Sequence, residues 1–244
     1  MILPELSIIV PCLNEVENIE AILSQLSQVI SGSRISVETL VLDDLSDDDT
    51  FIIAQNSISK FQDLNIRVIR RYQPRRGYGA IVRYGMAHAT GKYCIFVAAD
   101  GVDPIELIPS FLERMRAGAD LVQCSRYLKP GDDQTIPFKY KFYQIIFRFL
   151  LRVLLRERIR DSTYAFKMFN RVEVMALGLT QNRFSISPEI TFKVLLSGGK
   201  IEYVAAGQGT RVKGESKFVF RREGRGYAYV LFRAWLHRLG ILWF

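Results

Sequence analysis

A chain of 244 residues, 49% apolar and 24% charged, has enough apolar content for one large α/β core and excludes a disordered polymer. Its 33 Lys and Arg against 25 Asp and Glu leave a formal charge of +8, which predicts an anionic partner: nucleic acid, an anionic membrane face or a phosphorylated substrate. Cys12, Cys94 and Cys124 are too few and too scattered for a disulfide framework or a Cys-based zinc site, and no run reaches the roughly 20 uncharged apolar residues that span a bilayer.

In chain order, short β-branched runs alternate with amphipathic stretches, which predicts βαβ units and a mostly parallel central sheet flanked by helices. Strands are predicted at 6–11, 36–42, 66–70, 93–97 and 120–124. Helices are predicted at 15–30, 48–60, 77–89 and 104–117, the last with Pro104 in its first turn. Each cysteine falls in or beside a strand run, as a small core residue of a reducing compartment does.

Beyond Tyr127 the pattern changes. Residues 138–158, FKYKFYQIIFRFLLRVLLRER, mix large apolar side chains with six cations, predicting an amphipathic helix that either lies in a membrane interface or packs on the sheet. Residues 226–244, GYAYVLFRAWLHRLGILWF, repeat the theme, and Trp235 and Trp243 interleaved with Arg233 and Arg238 suit the headgroup level of a bilayer. The chain therefore divides into a main domain at 1–225 and a membrane-associating segment at 226–244. The opening MILPELSIIVP lacks the features of a signal peptide, so the expected location is cytoplasmic, peripheral on the cytoplasmic face of a membrane.

Ligands of open α/β sheets bind beyond the carboxyl ends of the strands. Pro11-Cys12-Leu13-Asn14-Glu15 follows the first predicted strand, Asp43-Asp44-Leu45-Ser46-Asp47-Asp48-Asp49-Thr50 the second, and Ala98-Ala99-Asp100-Gly101-Val102-Asp103 the fourth. Acceptors in the first two suit the N–H groups of a base and the hydroxyls of a ribose. Asp100 and Asp103 suit a hard divalent cation, Mg²⁺ or Mn²⁺, bridging a diphosphate. Asp47, Asp48 and Asp49 read more simply as acids complementing a helix start. Arg75, Arg76, Gly77 and Gly79 open the third helix, where backbone N–H groups can meet phosphate. Arg126, Lys167, Arg211, Lys213 and Lys217 are either cations converging on phosphate or a solvated scatter. Glu189 is an acceptor-site carboxylate or a first-turn acid. His88 and His237 have no partner at ligand or triad spacing and receive no role. Carboxylates at this edge repel a polyanion, so nucleic acid is not the expected partner.

Six blocks, in this order, resemble family 2 glycosyltransferases of the A-type fold, and within them the dolichyl- or polyprenyl-phosphate hexose synthases. They are Ile8-Ile9-Val10-Pro11 through Asn14-Glu15; Asp43-Asp44 with Ser46, Asp48 and Thr50; Gly77 with Gly79; Ser125-Arg126-Tyr127; Asp161 through Lys167; and Gly214-Glu215-Ser216-Lys217. The resemblance implies a UDP- or GDP-sugar donor held by Pro11, Asn14, Glu15, Asp43 or Asp44, Gly77 and Arg211, with Asp100 near its diphosphate. It implies Arg126, Lys167, Arg211 and Lys217 as the cations gripping donor and acceptor phosphates, and inverting transfer of a hexose to polyprenyl phosphate. Two departures stand out. The acidic motif after the fourth strand reads Ala98, Asp100, Val102, keeping one of three expected ligands, and the usual Gly-Phe-Arg is Ala165-Phe166-Lys167. These leave the metal requirement and the acceptor open. The alternatives are a glycan or another lipid as acceptor, or an inactive homologue that binds nucleotide sugar or lipid.

Overall fold

β1 (Leu6–Cys12), β2 (Val37–Asp43) and β3 (Ile66–Arg70) run parallel, and every residue of β2 and all but Pro11 of β1 are buried. Burial on both faces is what a parallel sheet covered by helices demands, and it explains the near-continuous apolar runs. The computed structural model describes residues 3–72, 76–128, 136, 138–205, 209 and 220–244, without the side chains of 139, 220 and 221. β4 (Tyr93–Phe96) and β5 (Leu121–Ser125) complete the five strands read from the sequence, each within about two residues of its expected ends.

The crossovers are α1 (Ile19–Ser31), α2 (Thr50–Asn56), α3 (Tyr78–His88) and α4 (Ile108–Arg116). All four are shorter than predicted: α1 and α4 start late because loop backbone is captured first, and α2 ends at Asn56 in turns. Asn18 N–H already closes a turn on the Glu15 carbonyl at 3.0 Å, so α1 starts at Ile19. Pro104 precedes a short 3-10 turn at 105–107, and the proline in the first turn of α4 is Pro109.

The second half holds α5 (Phe138–Leu154), β6 (Lys167–Asn170), α6 (Arg171–Ala176), α7 (Ile186–Leu196), β7 (Ile201–Ala205) and α8 (Phe220–Arg238). The sheet order is β3-β2-β1-β4-β6-β5-β7, with β6 antiparallel to both neighbours and every other pair parallel. β6 escaped the sequence reading because it is four residues long and opens on a lysine. The predicted boundary at 225/226 falls inside α8, whose Val230, Leu231 and Ala234 are buried against Leu151 of α5 and Phe192 of α7; residues 226–238 belong to the packed body. No helix among the described residues is long and apolar enough to cross a membrane.

Alternation along the strands separates the core into two layers. Ile8 and Val10 face α1 and α4 through Ile22, Leu26, Phe111 and Leu112. Ile9 and Leu42 face α3 and α7 through Val82, Met86 and Ile190. The chain leaves β1 for β2 on one side and reaches β4 on the other, so the strand order reverses between β1 and β4, where ligands of open sheets bind. α3 lies directly on this switch point: a Cβ at Gly85 would stand 2.4 Å from Leu42 Cδ1 and 2.9 Å from Ile9 Cγ2. Gly85→Val is expected to lower the unfolding free energy by about 1–3 kcal/mol through overpacking, read as a lower urea midpoint with unchanged m.

Candidate active site at the carboxyl edge of the sheet

The loops after β1 and β2 are laced together. Asn14 N–H donates to Ser46 Oγ at 2.9 Å, Asp47 N–H to Asn14 Oδ1 at 2.9 Å, and Glu15 N–H to Thr50 Oγ1 at 2.8 Å. Asn14 and Leu45 take φ of 53° and 61°, in the left-handed region. Asp48 accepts from Val16 N–H at 3.3 Å and Thr50 N–H at 3.0 Å. Burial opposes its charge, but the bonds from Thr50 and Val16 win and hold it below the ordinary carboxylate range. Glu15 is buried and accepts from Asn18 Nδ2 at 2.8 Å, turning toward the start of α1.

Asp43 and Asp44 are both buried and both paired, which the sequence reading missed. The β2–β3 register sets Asp43 opposite Arg70, whose Nε donates to it at 2.6 Å. Arg71 donates to Asp44 through Nε at 2.9 Å and through Nη2. Asp44 also accepts Gly77 N–H at 3.1 Å. The signal available in the sequence was the dipeptide Arg70-Arg71 closing the third strand just as Asp43-Asp44 closes the second.

The chain itself requires glycine at 77 and 79. A Cβ at Gly77 would lie 2.3 Å from the Asn182 carbonyl oxygen, and one at Gly79 would lie 2.4 Å from that of Gln181. The turn expected to cradle phosphate is also the seat of the 181–183 segment. That segment is clamped by Glu189, which is fully buried and accepts from Thr180 N–H and Gln181 N–H, each at 2.9 Å. Glu189 is thus a first-turn acid of α7, buried and spent on the 180–181 backbone. Tyr78, between the two glycines, stacks on Phe184 at 4.9 Å.

After β4, Asp100 is partly exposed and accepts Val102 N–H at 3.3 Å. Asp103 points inward: it is 8% exposed and accepts Ala98 N–H at 2.7 Å, closing the loop on itself. Burial, aided by the Asp100 charge, pushes its carboxyl up to about 7. No cluster of three or more His, Cys, Asp or Glu able to hold a metal occurs among the described residues. One outward carboxylate fits a hard divalent cation only where diphosphate oxygens and water complete the shell, and Asp103 serves the backbone instead of a metal.

Arg126 follows β5 and forms a bidentate pair with Asp161, Nε to Oδ2 at 2.7 Å and Nη2 to Oδ1 at 3.0 Å, with side chains 13% and 0% exposed. Burial opposes both charges, yet the mutual attraction prevails, so the Arg126 pKa rises and that of Asp161 falls. The pair is a framework that fixes the Arg126 guanidinium in place. Lys167 departs furthest from expectation. It is fully buried in β6, donating to the Ser162 carbonyl at 3.2 Å, the Ser187 carbonyl at 2.9 Å and Thr191 Oγ1 at 3.0 Å. Its Nζ is thus within hydrogen-bond reach of three protein oxygens, and it braces the 161–164 turn rather than gripping a phosphate. Arg75, Arg211, Lys213 and Lys217 lie outside the described residues. His88 bonds the Tyr84 carbonyl and His237 accepts Phe244 N–H, both local.

Two outcomes follow from this geometry. Arg126→Ala leaves Asp161 charged and buried, so it is expected to cost about 3–5 kcal/mol of stability in chemical denaturation. Lys167 is held down to about 7 by burial, against an ordinary 10.5, with Asp161 opposing the shift and Arg126 adding to it. Between those values the unfolded chain binds a proton that the folded protein does not. Stability therefore rises from pH 7 toward 10, by at most about 1.4 kcal/mol per pH unit for one proton. Urea unfolding across that range is expected to lose this component in Lys167→Met.

The sequence of residues 7–177 matches the family described as glycosyl transferase family 2. The chain is 32% identical over 215 residues to the dolichol-phosphate mannosyltransferase of Pyrococcus furiosus, covering 87% of this chain and 59% of that one. It is 30% identical over 176 residues to an uncharacterised glycosyltransferase of Synechocystis sp., covering 71% and 52%. This chain therefore spans between half and six-tenths of the length of these two relatives. The UDP complex of glucosyl-3-phosphoglycerate synthase from Mycobacterium tuberculosis superposes with a TM-score of 0.70 at 22% identity, covering 98% of this chain and 81% of that one. The same enzyme with Mn²⁺, UDP-glucose and phosphoglyceric acid gives a TM-score of 0.69 at 20% identity, covering 98% of this chain and 81% of that one. At such identity the likeness carries the fold, which is the A-type glycosyltransferase fold with its mostly parallel sheet. With the family matched across more than half of its length, this chain belongs to glycosyl transferase family 2.

Proposed function

We propose that the protein transfers a hexose, with inversion, from a UDP- or GDP-sugar to a polyprenyl phosphate at a membrane surface. The observation that carries this reading is the position of α5. Phe142, Ile145, Ile146, Phe149 and Val153 form an exposed stripe at helical spacing, and the helix contains no acidic residue. Its other side meets the candidate site: Gln144 Nε2 donates to Thr163 Oγ1 at 2.8 Å, and the Arg148 guanidinium lies 4.3 Å from the Tyr127 ring. An apolar, cation-bearing surface beside Arg126 suits an acceptor with a lipid tail and an anionic head. The similarity to a dolichol-phosphate mannosyltransferase supports the same acceptor class.

In this reading the donor nucleotide lies between the Pro11–Glu15 and Asp43–Ser46 loops, with its diphosphate at Asp100. An acceptor phosphate oxygen attacks the anomeric carbon from the face opposite the diphosphate. The new C–O bond forms as the old one breaks, and the electron pair leaves on the β-phosphate oxygen. A phosphate nucleophile is anionic at neutral pH, so orientation and charge neutralisation carry the acceleration. Asp100 and the diphosphate would together hold Mg²⁺ or Mn²⁺, which when bound neutralises the leaving group. Arg126, with Arg211 and Lys217, would face the phosphates, and exposed Leu239, Ile241 and Trp243 would join α5 at the membrane.

Incubating the protein with vesicles containing polyprenyl phosphate and a panel of UDP- and GDP-hexoses is expected to yield polyprenyl phosphohexose by mass spectrometry. Asp100→Ala is expected to lower kcat by about 10²–10³-fold, the scale of one lost electrostatic element. Hexose appearing only on glycans or soluble phosphates would move the function to another acceptor. Nucleotide binding without turnover would favour the inactive homologue, the reading that Ala98 and Val102 support.

A further inference from the structure

Tyr164 stands between the two charged halves of the site. Its side chain is 4% exposed, at the end of the turn that begins with Asp161. On one side the Arg126 guanidinium carbon lies 4.9 Å from its ring centre, a cation–π distance. On the other side its hydroxyl reaches the loop that carries Asp100, donating to the Val102 carbonyl at 3.4 Å. Asp103 closes the same loop from within through Ala98 N–H at 2.7 Å. The turn holding Tyr164 is itself fixed: Ser187 Oγ donates to the Tyr164 carbonyl at 2.9 Å, and Gln123 Nε2 donates to the Asp161 carbonyl at 3.0 Å.

A phenylalanine would fill the same space and still present a ring to Arg126. The hydroxyl is the costly part of this side chain to bury, and it is directed at one loop. We infer that Tyr164 is a positioning residue whose hydroxyl fixes the Asp100 loop relative to Arg126, so that a carboxylate and a guanidinium meet a bound nucleoside diphosphate sugar in one arrangement. The inference rests on the reading above that Asp100 and Arg126 face the donor. It adds that their mutual placement is set through Tyr164 and Asp103. Prior fixing of charged groups is what makes them effective, since no reorganisation is then needed during reaction.

Tyr164→Phe removes only the hydroxyl, and cooperative urea unfolding checks first that the variant folds. Deuterium exchange of the backbone amides at 98–103 is expected to quicken by about 10-fold, the scale of one lost loop contact, while β4 keeps its protection. In the transfer assay kcat is expected to fall about 10-fold or more with the donor KM within about 2-fold of wild type, the signature of misplacement rather than lost binding. The same substitution made in Asp100→Ala is expected to change kcat little, because a residue acting through Asp100 has nothing left to position. Unchanged exchange at 98–103 would overturn the inference, as would a kcat loss that persists undiminished in the Asp100→Ala background. If the wild-type protein transfers no sugar, the functional reading fails, while the exchange measurement still decides whether Tyr164 holds the loop.

Discussion

A carboxylate with no exposed surface has to be matched, and Asp161 is matched by the bidentate guanidinium of Arg126. Much of the second half of the site is arranged around this pair. Thr163 donates to Asp161 Oδ1 at 3.2 Å and accepts from Arg126 Nη2 at 2.9 Å and Gln144 Nε2 at 2.8 Å, tying α5 to the turn. Tyr164, next in the chain, lies under the same guanidinium and reaches the Asp100 loop. Lys167 and Ser187 brace the turn from the core. A buried ion pair is poor evidence for stability, because desolvation offsets much of the attraction; its consequence here is geometric, a fixed orientation for three neighbouring elements.

The same economy of charge runs along the first half of the sheet edge. Asp43 and Asp44 are set against Arg70 and Arg71, so this acidic edge is far less negative than the sequence suggests. That resolves an apparent conflict in a protein of net charge +8 whose loops at this sheet edge are rich in carboxylates. Asp100 is partly exposed at the switch point, while the nearby Asp103 is buried and engaged by the backbone. A diphosphate entering there would meet little net repulsion from the paired acids.

The apolar surface has a comparable division. α5 and α8 bury Leu151, Leu155, Val230 and Ala234 between them and α7. The outward stripe of α5 and the end of the chain, with Trp243 87% exposed, are left over after the core is complete. An apolar surface of this length beside cations invites a partner of matching character. In the proposed function that partner is a lipid bearing a phosphate.

Periodicity fixed the five parallel strands, because apolar runs bounded by turn residues follow from burial on both sheet faces whatever the rest of the chain does. Parallel βαβ order then carried Asn14, Asp43 and Asp100 to one edge, so the grouping of these candidate residues and the family were legible from residue order. The roles of single charges were not. Whether Asp44 faces a ligand or Arg71 depends on the register of strands separated by a helix, and whether Lys167 is a surface cation or a buried brace depends on β6 inserting between β4 and β5. Gly77 and Gly79 suggested a phosphate cradle, yet they make room for the 181–183 segment, about 100 residues further along. Local pattern determines where backbone goes because it records how each segment divides between core and water. Charge partnership is decided by which distant segments meet, and only the tertiary structure brings them together.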